Sequence, residues 1–192
     1  MSKKGFTLAE VLITLGVIGV VAAMTLPTLI KNYNNYVTAQ KLKKAYNTLS
    51  NGIRMAEVDY GPMKDWPIDA NTNMKNFYET YFQPYFKGIK RCSNYSSCGY
   101  KNLKYKGLSW SLNSSGSTRN TRVLFKLIDG TIIFYPNSSD GYTTNIFYID
   151  INGAKEPNEV EKDVYQFKRG TTKGIEPIGK ALKIMQDGWK IK

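Results

Sequence analysis

The chain has 192 residues, which suits one modest domain with an added element and excludes two full domains. A 42% hydrophobic content sets disorder of the whole chain aside. A mean hydropathy of −0.39 excludes a polytopic membrane protein but leaves room for one span. The formal charge of +12 favours anionic partners, namely nucleic acid, anionic lipid head groups or acidic polysaccharide, yet it is spread out, with no basic run longer than two residues.

The first element is apolar. Lys3 and Lys4 precede residues 11–30, which carry no charge. That run is about as long as the roughly 20 residues a bilayer core requires. Lysines ahead of it keep the short tail cytoplasmic and export the rest. The run exceeds the roughly 7–15 residues of a secretory signal core, and no polar cleavage region follows Ala22-Ala23. A simple signal anchor is the plain reading. Glu10 argues against it: a carboxylate in an apolar run costs about 2.5 kcal/mol or more near the bilayer centre, and no basic residue lies within helical reach inside the run. A positive charge from another chain at the same membrane depth would account for it.

The string Lys4-Gly5-Phe6-Thr7-Leu8-Ala9-Glu10, followed by an apolar run, resembles the processing site of type IV prepilins and type II secretion pseudopilins. The resemblance implies that a prepilin peptidase cuts between Gly5 and Phe6 and methylates the new Phe6 amine. It further implies that Glu10 pairs with that amine, of its own chain or a neighbour, during filament assembly. The implied partners are identical or related pilin subunits, an inner-membrane assembly platform and membrane lipid. Pro27 sits where many pilins carry a helix-kinking proline; proline removes one helical hydrogen bond and bends the axis. Gly16 and Gly19 weaken the same stretch.

The helix continues past the membrane. Leu42, Ala45, Tyr46, Leu49, Ile53 and Ala56 recur at three- and four-residue steps, and Gly61-Pro62 stops the pattern. One helix is therefore expected over 6–59, with its transmembrane part at about 8–30, after a leader of residues 1–5 and before a head over 60–192. Residues 62–72 read as a loop. Met74, Phe77, Tyr78, Tyr81, Phe82, Tyr85 and Phe86 form a single-faced stripe on a second helix limited by Pro84. An aromatic stripe invites base or sugar stacking, but packing on the head is the plainer reading.

Residues 87–122 read as a long loop with a strand at 108–112. They hold Cys92 and Cys98, a spacing that matches neither zinc nor thioredoxin motifs. In an exported head these two form a local disulfide. Strands are expected at 122–128 and 131–135 around the hairpin signal Asp129-Gly130, then at 145–151 and 164–168, with a short helix at 177–186. The fold class is α+β: a long N-terminal helix packed on a small antiparallel sheet, similar to a pilin head.

Asp150, Asn152, Asn158 and Asp163 place oxygen ligands around one turn, resembling the calcium loop of major pseudopilins, although an Asn-Gly turn explains the same residues. Histidine is absent, and no phosphate loop or serine nucleophile motif is found, so an enzyme is set aside. The leading function is a structural subunit of a type IV pilus-like filament or type II secretion pseudopilus. The alternative is a minor pilin that captures DNA, for which Lys101, Lys104, Lys106, Arg119 and Arg122 would have to share one face.

Overall fold

The computed structural model describes residues 5, 7–68, 72–101, 106–107, 122–136, 145–172 and 174–191. The expected long helix is present as α1, Leu8–Tyr60, 53 residues long. Thr7 caps its start in an extended conformation, and Gly61 ends it at a positive φ of 77° that disfavours side chains other than glycine. Its two halves live in different surroundings. Ala39, Leu42, Ala45, Leu49, Ile53 and Ala56 are fully buried, at the three- and four-residue spacing of one helical face. The earlier half touches none of the head core: Leu12, Leu15 and Leu29 are 61%, 61% and 64% exposed.

The second helix, α2 (Met74–Tyr81), starts on Asn73, whose side chain accepts from the Lys75 and Asn76 amides. It is shorter than the aromatic stripe suggested. Pro84 has no N–H to offer the Thr80 carbonyl and its ring crowds that oxygen, so the chain leaves the α conformation at Phe82 and passes through a 3-10 turn at Gln83–Tyr85. The stripe carries on across this turn, because Phe82 and Phe86 are also buried. The preceding loop is likewise interrupted by a 3-10 turn at Met63–Asp65.

Residues 87–122 depart from a plain loop. They contain β1 (Lys90–Arg91) and a one-turn helix, α3 (Tyr95–Cys98), capped by Asn94. The strand expected at 108–112 lies outside the described residues. Then follow β2 (Arg122–Lys126), β3 (Ile132–Pro136), β4 (Ile146–Asp150), β5 (Val164–Arg169), β6 (Ile175–Pro177) and α4 (Gly179–Gln186). The strands lie in sequence order in one antiparallel sheet. The hairpin at Asp129-Gly130 carries three loop residues: the Leu127 amide donates to the Thr131 carbonyl at 2.8 Å, and the Gly130 amide to the Leu127 carbonyl at 3.0 Å. Ile128 thus belongs to the loop and Leu127 closes it, so the strand expected to reach 128 ends at Lys126.

Alternation along the strands divides the core. Val123, Phe125, Ile133, Tyr135, Phe147, Ile149, Tyr165 and Phe167 face α1 and α2. Leu124, Ile132, Phe134, Tyr148 and Val164 face away and are covered by Cys92, Tyr95, Cys98 and Tyr100. Cross-strand rings stack on both faces, Tyr135 on Phe147 at 4.0 Å and Phe134 on Tyr148 at 4.8 Å between centroids. The fold is the α+β architecture expected: a long helix half-sunk in a small antiparallel sheet.

Candidate functional site: the exposed half of the long helix

At the start of α1, Thr7 and Glu10 form a reciprocal capping box. The Thr7 amide and hydroxyl each donate to Glu10 Oε2 at 2.8 Å, and the Glu10 amide donates to Thr7 Oγ1 at 3.3 Å. Glu10 therefore has a partner inside its own chain, a hydrogen-bond donor and not the cation its charge suggested. The signal was present in the sequence: Thr followed three residues later by Glu, ahead of an apolar run, is the capping-box pattern. This contact folds the carboxylate back toward the N-terminus, onto the residue next to Phe6. Phe6 itself and residues 1–4 lie outside the described residues. Gly5 is exposed, and nothing lies within 4 Å of where a Cβ would sit on it.

Beyond Glu10, the helix presents apolar side chains on every side. An 18-residue window of α1 has a mean hydropathy of 2.2, and none of that window is buried. By length and composition it can cross a membrane. Pro27 lies inside α1, which continues through it as one element; by the chemistry of proline, the Ala23 carbonyl loses its helical donor there.

Cys92 and Cys98 form the expected disulfide, with their Cα atoms 5.4 Å apart. It pins α3 to the outer face of the sheet, where Tyr95 meets Phe134 edge-to-face. The four calcium candidates do come together. Asp163 is their centre: Oδ2 accepts from Asn152 Nδ2 at 3.0 Å and from the Asn158 amide at 2.9 Å, and Oδ1 accepts from the Glu159 amide at 2.6 Å. Asp150, fully buried, accepts from the Tyr100 hydroxyl at 2.7 Å. Hydrogen bonds occupy both Asp163 oxygens and Asp150 Oδ2. Among the described residues, the buried Asn152 Oδ1 has no hydrogen-bond partner, and no group of three or more acidic, His or Cys side chains is placed to hold a metal. Of the cations named for DNA capture, Lys101 and Lys106 are exposed; Lys104, Arg119 and the Arg122 side chain lie outside the described residues.

Two tethers at the far end of α1 were not foreseen. Glu57 accepts from the Met63 amide at 2.9 Å and the Gly174 amide at 2.6 Å, tying the helix to the β5–β6 turn. Arg169 donates to the carbonyls of Lys64 and Trp66. The Gly174 bond and the two Arg169 bonds join segments more than 100 residues apart, a separation no local pattern reveals.

A basic N-terminus, a capped apolar half-helix and an α+β head define the class: a membrane-anchored precursor of the prepilin type. Residues 1–26 match the prokaryotic N-terminal methylation motif. Residues 28–184 match a family of unknown function, DUF6613, and the chain belongs to that family. It is also similar to the fimbrial protein EcpC of Eikenella corrodens, 38% identical over 68 residues, which is 35% of this chain and 41% of that protein. The chain thus matches about two-fifths of the length of that relative. No solved structure matches the chain.

Proposed function

We propose that this chain is a structural subunit of a type IV pilus-like filament, made as a precursor and assembled through α1. Residues 1–5 are the leader, 6–59 the spine with its span at about 8–30, and 60–192 the head. A prepilin peptidase cuts after Gly5 and methylates the Phe6 amine. Glu10 then exchanges Thr7 for that amine, of its own chain or a neighbour. The methylation motif is common to pilins and pseudopilins, so it is the likeness to a fimbrial protein that supports a surface pilus over a secretion pseudopilus.

One observation carries this reading. The first half of α1 is apolar and exposed along its length, while the second half buries one face against the head. Such an exposed face requires a cover, and a bilayer followed by the core of a filament supplies one before and after assembly.

The test is the intact mass of the protein from sheared surface filaments and from membranes of the native cell. A species lacking residues 1–5, carrying one extra methyl and lacking two cysteine hydrogens, is expected in the sheared fraction. The same species in membranes alone would move the reading to a pseudopilus or a rare minor subunit. Uncleaved protein throughout would refute processing and leave a signal-anchored head.

A further inference from the structure

Immediately after the apolar run, α1 carries Lys31, Tyr33 and Tyr36, separated by Asn32, Asn34 and Asn35. Tyr33 and Tyr36 are 66% and 64% exposed. Among the described residues neither ring pairs with another aromatic, neither hydroxyl has a hydrogen-bond partner, and Lys31 has no ion pair. Two large aromatics left this open on a helix are not there to pack the head. Their position shows the same thing: Tyr33 precedes the buried Leu42, and Tyr36 the buried Ala45, by nine residues. At 3.6 residues per turn, nine residues are about 2.5 turns, so both rings project from the side opposite the head. Spaced three apart, they share that side.

We propose that Lys31, Tyr33 and Tyr36 form an interfacial anchor that docks on the lipid headgroup layer and fixes the depth of α1 in the membrane. The inference rests on the membrane-spanning reading of the same helix and extends it to named residues. The dimensions agree. From Ile30 to Tyr36 the helix rises about 9 Å. The headgroup layer on each side of a roughly 30 Å hydrocarbon core is about 5–8 Å thick. Tyrosine suits this layer because its ring is apolar and its hydroxyl is polar, and lysine there meets phosphate. The asparagines between them offer further donors and acceptors to the same layer. Lys41, Lys43 and Lys44 lie too far along the axis to join: Lys44 is about 21 Å above Ile30 by helical rise. The anchor therefore ends near Tyr36, just before the first buried residue of α1, Ala39.

The test places tryptophan reporters in the full chain in phosphatidylglycerol-containing vesicles, with lipids brominated at different depths. Quenching is read as the increment over the unsubstituted chain, whose Trp66, Trp110 and Trp189 all follow α1 in sequence. Tyr33→Trp and Tyr36→Trp are expected to give blue-shifted emission, quenched more by bromines near the headgroup than by bromines at the chain ends. Leu15→Trp should show the opposite order, and Asn47→Trp no quenching. If Tyr33→Trp and Tyr36→Trp behave as Asn47→Trp does while Leu15→Trp is quenched, the anchor is overturned and the span stands. If Leu15→Trp is also unquenched, the span fails and the anchor with it.

Discussion

The ring of Phe86 lies directly on the backbone of Gly52: a Cβ built on Gly52 would meet Phe86 Cζ at 2.2 Å and two further ring carbons within 2.6 Å. Glycine inside an exposed helix costs about 1 kcal/mol relative to alanine, so its presence in α1 has a packing reason. The missing side chain lets the aromatic stripe seat against the helix. Gly52→Ala is therefore expected to destabilise the head. Overpacking costs about 1–3 kcal/mol, and the helix gain offsets about 1, leaving a net loss of up to about 2 kcal/mol. Urea unfolding in mild detergent, followed by aromatic circular dichroism, measures it. Adding Phe86→Leu should recover part of the loss, and strict additivity of the two changes would contradict the contact.

The disulfide predicts a local effect. Closing the Cys92–Cys98 loop, six positions apart, contributes about 2 kcal/mol in the chain-entropy account. Its loss should first free α3 and its cover over Phe134 and Tyr148, because those contacts hold no part of α1. Replacing both cysteines by serine is expected to lower the thermal midpoint. Hydrogen exchange should rise in 92–100 before it rises in β4 or β5. Uniform exchange across the sheet would mean that the staple supports the whole head.

Much of this architecture was legible in the residues, and the reasons differ by element. The distal half of α1 advertises itself because Leu42, Leu49 and Ile53 keep helical spacing beneath a solvated face. β2 and β3 show because their alternation assigns Val123 and Phe125 to one core and Leu124 to the other. β6 has three residues, one of them proline, and takes its identity from its register with Phe167, Lys168 and Arg169. β1 exists through its pairing with Phe125 and Lys126. Such short edge strands have no period of their own. At the candidate site, the apolar run and Glu10 are plain in the sequence, whereas the Thr7 cap is masked because a carboxylate ahead of an apolar run points first to a cation.

The pH dependence has two limbs. Burial pulls the Asp129 carboxyl upward, but the Lys44 ammonium at 3.0 Å and the Thr131 amide at 3.1 Å outweigh it and hold the group below its ordinary 3.8. A depressed acid contributes stability that is present above its ordinary value and lost as pH falls through it toward the folded value. Lys44 is largely exposed, so the pair contributes about 0.2–1 kcal/mol, less at high salt. Asp129→Asn should flatten the stability curve below pH 4, while an unchanged acid limb would remove the pair from the account. At the other end, burial pushes the Tyr135 phenol up to about 12 against the pull of Arg169. The unfolded chain ionises first, so this contribution is complete below the ordinary 10.0 and is lost as pH rises toward 12. Tyr135→Phe should make the alkaline limb shallower.

Glu10 has two candidate roles that one pair of substitutions separates. In the precursor it caps α1 through Thr7, a contact of the kind whose loss costs about 0.5–2 kcal/mol. In the filament it is proposed to hold the methylated Phe6 amine. Glutamine can serve the capping box as glutamate does, but it carries no charge. Glu10→Gln should therefore leave helix onset and cleavage after Gly5 intact, yet impair incorporation into filaments as severely as Glu10→Ala. Thr7→Ala should show the reverse: a frayed first turn with assembly retained, because the charge remains. Cleavage is read by intact mass and assembly by the sheared fraction. Normal assembly of Glu10→Gln alongside failure of Glu10→Ala would assign the residue to capping alone. The paired amine would then have to find its counter-charge elsewhere, and residues 11–56 contain no acidic side chain to supply it.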